Sequence, residues 1–233
     1  MGEECEAREG HEEMRFDDLR TGNLQVGIMY HVFGHAGAGK TTLAMMITSS
    51  ILEHGGTCAW FDTKNTFSPR RFKDISTMNA GLDLSSKVRL LRPRTVEGLE
   101  FGLINLVSNA REWSVKLVVL DTIFGCLDIR SENVLKRQRE WRYAEDVIIT
   151  LYMLTSGSKI PALVLNDMSY NPALGMDRPV GEYLVKKLVN ETVFLKRKRT
   201  STSSETLECI TDDGITPFSI YDGGIVAMET CLD

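Results

Sequence analysis

From Val26 onward, apolar positions follow two alternating rhythms. Residues 26–33, VGIMYHVF, form a compact apolar run that predicts a strand. Residues 41–52, TTLAMMITSSIL, predict a helix stopped by Gly55-Gly56. A second strand follows at 57–63, TCAWFDT, and then Ser68-Pro69 supplies an N-cap and a first helical residue. Residues 87–93 predict a third strand. Thr95 caps a helix whose Leu99, Leu103, Ile104 and Val107 share one face. The run KLVVLD, 116–121, is apolar on both faces, as a covered parallel strand must be. A long helix is expected from about Ser131, burying Ala144, Val147, Ile148, Leu151 and Leu154 and ending at Gly157. PALVLN, 161–166, is the next buried strand.

Strands that alternate with helices imply right-handed crossovers, so the fold class is α/β with a mostly parallel central sheet flanked by helices. After Asn190 the pattern changes to ETVFLKRK, SETLECIT and TPFSIY, separated by Ser/Thr-rich and Asp-Asp-Gly turns. Those segments predict antiparallel strands extending the C-terminal edge of the sheet. Residues 1–15 are glutamate-rich without apolar periodicity and read as an acidic flexible tail, leaving 16–233 as one domain.

Composition changes little in this picture. Of 233 residues, 42% are hydrophobic and 25% charged, an ordinary globular mixture. Cys5, Cys58, Cys126, Cys209 and Cys231 are scattered without C-x-x-C spacing, which speaks against zinc and for a reducing cytoplasm. The net charge of −5 argues against coating nucleic acid through an overall field, although local basic patches remain open. No apolar run is long enough to span a bilayer, so no membrane partner is expected.

The strongest chemistry lies in GHAGAGKT, Gly34 to Thr41. It matches G-x-x-x-x-G-K-[ST] between a predicted strand and a predicted helix. Gly34, Gly37 and Gly39 let the backbone curl around phosphate oxygens; His35, Ala36 and Ala38 fill the loop, and Thr42 follows it into the helix. The helix N-terminus favours negative charge. Lys40 is placed for the β- and γ-phosphates and Thr41 for Mg²⁺. Asp121, ending its apolar strand, has the form of the acid that holds Mg²⁺ through water. ATP and Mg²⁺ are therefore the expected cofactors.

GIMYHVFGHAGAGKTTLA, WFDTKNTFSPRRF, LVVLDTI, ALVLND and RPVGEYL occur in an order that resembles RecA-type recombinases. Within that superfamily the chain looks most like the short archaeal RadB paralogues, from about Phe16 to Val226. The resemblance implies a RecA-like P-loop NTPase core and a part in homologous recombination and DNA repair. It also exposes departures. Where active relatives carry a glutamate that polarises water, this chain has Lys64; where they carry a γ-phosphate-sensing glutamine, it has Asp167. A protonated lysine cannot accept a proton, and loss of a general base removes ~10²–10⁴ in rate. Weak or absent hydrolysis follows. ITDD, 210–213, also replaces basic residues that in the family reach a neighbour's nucleotide.

Two readings of Lys64 and Asp167 stand side by side. The favoured one is independent drift to exposed loop positions; the other is an ion pair across the site. The functional alternatives are a DNA-dependent ATPase completed by a partner subunit, and a regulatory ATPase of the circadian-clock type without DNA chemistry.

By the same resemblance, two segments face DNA. The first, 123–142, contains Arg130, Lys136, Arg137, Arg139 and Arg142, a mixture that a solvated helix face also carries. The second, MSYNPALGMDRP, offers Tyr170 for stacking and Arg178. Lys196-Arg197-Lys198-Arg199 is the dense basic run, suited to phosphate contacts or to guarding an edge strand. Single-stranded DNA and a RecA- or RadA-type recombinase are candidate partners. FDDL, 16–19, is not the Phe-x-x-Ala segment that docks neighbours in filaments, so an extended self-filament is not expected.

Overall fold

Among the described residues of a computed structural model, 15–172, 174–199 and 205–228, ten strands join in one sheet. They are β1 (Met29–Gly34), β2 (Thr57–Asp62), β3 (Val88–Leu91), β4 (Val115–Asp121) and β5 (Ala162–Asn171), followed by β6 (Met176–Pro179), β7 (Glu191–Arg199), β8 (Glu205–Thr211), β9 (Gly214–Tyr221) and β10 (Gly224–Ala227). The order is β10-β9-β8-β7-β1-β5-β4-β2-β3, with β6 paired to β5 alone. From β7 to β3 the neighbours run parallel; β7 to β10 run antiparallel. This is the mixed sheet the sequence implies, with two unanticipated strands, β6 beside β5 and β10 at the edge.

Six helices accompany it: α1 (Phe16–Thr21), α2 (Lys40–Glu53), α3 (Pro69–Ala80), α4 (Val96–Asn109), α5 (Val134–Ser158) and α6 (Glu182–Val185). Side chains on a strand alternate between faces. On β4, Leu117 and Val119 join α2 and α3 residues such as Leu43, Ile47 and Phe72 in one core. Val118 and Leu120 join Leu99, Leu103 and Leu151 of α4 and α5 in the other. Both layers of helices are therefore needed, which is why these strands are apolar throughout. No helix among the described residues is long and apolar enough to cross a membrane.

Several boundaries differ from the sequence reading. Val26 is 67% exposed before a turn, and the first strand begins at Met29. On α4, Leu99 and Leu103 are buried as expected, but Ile104 and Val107 face outward. The inward stripe runs through Gly102 and Leu106 instead, because only a glycine lets the helix approach Phe61: a Cβ at Gly102 would lie 2.9 Å from its ring. Asn133, not Ser131, caps α5, and the helix passes Gly157 to end on Lys159 in the left-handed region. The expected buried residues of α5 are all inside. MSYNPALGMDRP is a hairpin, the end of β5 paired with β6, where a loop was expected. Phe16 is buried and stacks on Phe218 at 5.9 Å, so α1 is part of the core. The acidic tail (apart from Arg15), Cys5, Cys231 and the Ser/Thr-rich turn at 200–204 lie outside the described residues.

The register sets the stage for chemistry. Gly34 stands opposite Asp167, and Asp62 opposite Asp121. The carboxyl ends of β1, β2, β4 and β5 thus deliver their polar residues to one rim, where open α/β sheets bind ligands.

Candidate nucleotide site

The loop after β1 curls as its glycines allow, with φ of 78° at Gly37 and 95° at Gly39, and α2 starts at Lys40. The Lys40 ammonium turns back beneath it, donating to the carbonyls of Gly34 at 2.8 Å and His35 at 3.0 Å. Its remaining contact is the Asp167 carboxylate at 3.0 Å. Ala38 is buried, Ala36 and Thr42 line the rim, and His35 faces Asp177 of β6 at 3.5 Å. The cleft above the loop measures about 320 Å³ and is walled by Gly37, Lys40, Thr41, Lys64, Asp121 and Asp167.

Thr41 donates its hydroxyl to Asp121 at 2.9 Å, and Thr66 donates to the same oxygen at 3.0 Å. Burial raises the Asp121 carboxyl above its usual value, partly offset by these two hydroxyls and by Lys40. A hydroxyl and a carboxylate meeting at a phosphate loop would suit Mg²⁺, Thr41 as a ligand and Asp121 through water. The loop amides and Lys40 fit a nucleotide's phosphates.

Lys64 is aimed by a turn built on Asp62. That carboxylate is fully buried and accepts from the amides of Thr66 at 2.8 Å and Phe67 at 3.1 Å, and from Arg92 Nε at 3.2 Å. The Thr63 hydroxyl donates to the Thr122 carbonyl at 2.7 Å and accepts from its amide at 3.0 Å, tying the turn to the end of β4. Asn65 sits at φ 58°. Lys64, held between these anchors, reaches across the cleft and pairs with Asp167. Drift to unrelated loop positions, the favoured expectation, is thereby corrected: the two residues are partners because the turn after β2 and the part of β5 opposite Gly34 meet on the same rim. Burial works against the Asp167 carboxylate, but Lys64 and Lys40 outweigh it and hold the carboxyl below its ordinary value.

The neighbouring Asn166 is buried. Its amide nitrogen donates to the Val180 carbonyl at 2.7 Å and lies 3.3 Å from His31 Nε2. Burial pushes His31 down to about 4. A second cleft of about 370 Å³ opens on the far side of the Lys64–Asp167 pair, lined by Phe124, Arg130, Asn166 and Met168. Of the DNA-facing candidates, Arg130 alone lines it. Arg137 is spent on the Ser131 carbonyl at 3.1 Å and Arg178 on Glu182 at 3.4 Å; Tyr170 is 63% exposed on the hairpin.

The basic run is not one patch. Successive residues of β7 point to opposite faces. Lys198 pairs with Glu208 at 3.3 Å and Lys196 is exposed, whereas Arg197 donates to the Gly37 carbonyl of the phosphate loop at 3.1 Å. The Arg199 side chain lies outside the described residues. Sequence reasoning missed Arg197, Asp62, Thr66 and Arg92 as members of the site. Only Asp62 carried a signal, ending its apolar strand just as Asp121 ends another.

No family model matches the chain. The DNA repair and recombination protein RadB of Thermoplasma volcanium is 26% identical over 187 residues, 78% of this chain and 74% of that protein. RadB of Methanoculleus marisnigri is 26% identical over 221 residues, covering 86% and 93%. A crystal structure of the RadB recombinase superposes with a TM-score of 0.70 at 22% identity, covering 88% of this chain and 92% of that one. The chain is thus similar to RadB, a paralogue within the RecA/RadA superfamily, over most of its length. The likeness extends to the DNA repair and recombination protein RadA of Methanocorpusculum labreanum, 25% identical over 222 residues, 78% of this RadB-like chain and 64% of that protein.

Proposed function

We propose that this chain is a RadB-like accessory protein of homologous recombination and DNA repair, which binds ATP with Mg²⁺ and hydrolyses it slowly or not at all. The observation that carries the reading is the Lys64–Asp167 pair at the mouth of an otherwise complete phosphate loop. Similarity to the DNA repair and recombination protein RadB of Thermoplasma volcanium and of Methanoculleus marisnigri supports the recombination setting.

Each residue then has a task. The loop amides and Lys40 would hold phosphates, with Arg197 bracing the loop at Gly37; Thr41 and Asp121 would hold Mg²⁺. Bound Mg²⁺ would neutralise phosphate charge. What the rim lacks is a group to take a proton from water: Lys64 is a cation, and Asp167 is committed to two lysines. A protein that holds ATP without consuming it suits a mediator touching single-stranded DNA, a recombinase, or both.

The test is titration calorimetry with ATP and Mg²⁺ on the wild type and Lys40→Ala, paired with single-stranded DNA binding at two salt concentrations. The reading expects ATP binding lost in Lys40→Ala and DNA affinity that falls with salt. No ATP binding, or DNA binding indifferent to salt, would count against it. Turnover that appears only with a partner subunit would replace the mediator by a composite ATPase.

A further inference from the structure

The Lys40 ammonium has three protons to donate, and all are taken: Gly34 at 2.8 Å, His35 at 3.0 Å and Asp167 at 3.0 Å. Lys64 is bound to the other oxygen of the same carboxylate. The two cations available to a terminal phosphate are therefore bridged by a carboxylate of the protein itself. Two ammonium groups and one carboxylate leave a single net positive charge in this part of the cleft. An anion added beside Asp167 must either displace it from both lysines or be placed next to a like charge.

The backbone that carries Asp167 keeps the carboxylate at the lysines. It begins the β5–β6 hairpin, whose base is closed by the Val180 amide donating to the Asp167 carbonyl at 2.9 Å. The far strand of that hairpin lies over the loop, with Asp177 3.5 Å from His35. Neighbouring Asn166 is buried and bonded to Val180. The backbone that carries the carboxylate is thus fixed on both sides.

From this geometry we propose that Asp167 acts as a built-in competitor for the terminal phosphate, so that the cleft takes a nucleoside diphosphate in preference to the triphosphate. The inner phosphates need only the amides of the phosphate loop, which Arg197 braces at the Gly37 carbonyl. Only the outermost phosphate has to contest Asp167. This deepens the nucleotide-binding reading above and rests on it. ATP still enters such a cleft, but more weakly than ADP, because its outer phosphate must contest the lysine-bound carboxylate.

The test is titration calorimetry of the whole chain with Mg²⁺ and either ADP or a non-hydrolysable imido analogue of ATP. The wild type is expected to bind ADP more tightly, by about tenfold. Asp167→Asn keeps the shape and removes the charge; it is expected to move the ratio by about tenfold or more toward the triphosphate. A thermal melt checks that the variant is folded. A wild type that prefers the triphosphate by tenfold overturns the inference without any variant, and so does a ratio unchanged by Asp167→Asn; in both cases nucleotide binding stands. Binding of neither nucleotide overturns the reading of the cleft, and this inference with it.

Discussion

Lys64 and Asp167 meet across the mouth of the phosphate cleft although more than a hundred residues separate them. They do so because Asp62 fixes the turn after β2 and because the register of β5 sets Asp167 opposite Gly34. The pair spans the mouth of the cleft and shares its carboxylate with Lys40.

Both side chains are about a third exposed, 39% for Lys64 and 31% for Asp167, so the pair itself adds little to folding. Lys64→Ala is expected to change stability by no more than about 1 kcal/mol in urea unfolding. A loss several times larger would mean that the pair holds the fold together and was not shaped by ligand chemistry.

Asp62 is the opposite case. It is buried and satisfies two backbone amides and the Arg92 guanidinium. Asp62→Ala leaves those donors without a partner and is expected to cost about 3 kcal/mol. Because the turn aims Lys64, the same variant is expected to disturb nucleotide binding. A stability change below about 1 kcal/mol would contradict this account.

How much of this was legible beforehand varies with the physics involved. Apolar runs that must be covered on both faces gave the parallel strands, and Ser68, Thr95 and the phosphate loop marked helix starts, because each is local chemistry. The outward turn of Ile104 and Val107 depends on Gly102 meeting Phe61, a contact between distant segments. Arg197 looked like one of four equal cations; only the pairing of β7 beside β1 brings it to Gly37. The hairpin at 168–179 was hidden because its strands continue β5 past the layer of helices, where no apolar pattern is required.

Arg197 and its neighbours on β7 are expected to separate in function. Arg197→Ala is expected to weaken nucleotide binding by about threefold or more, having lost the contact to the loop. Lys196→Ala, on the exposed face, is expected to leave nucleotide binding unchanged and reduce the salt dependence of any DNA binding. Equal effects of both variants on both ligands, measured by calorimetry and fluorescence anisotropy, would restore the single-patch reading.

His31 makes stability depend on pH. Buried neutral in the folded chain, it titrates near 4, against 6.5 when unfolded. Its contribution is complete above pH 6.5. It is lost as pH falls toward 4, because the unfolded state takes up the proton first. Between pH 7 and pH 4, His31→Phe is expected to lose roughly 3 kcal/mol less than the wild type in urea unfolding. Identical pH profiles would show that His31 is protonated or solvated in the fold.

The most direct measurement is ATP product analysis on the wild type and on Lys64→Glu/Asp167→Gln together, with and without single-stranded DNA. The account predicts background turnover for the wild type under both conditions. It predicts a rise of about tenfold or more in the double variant, which restores a proton acceptor and removes the competing carboxylate. Wild-type turnover stimulated by DNA, or a double variant that stays at background, would contradict it.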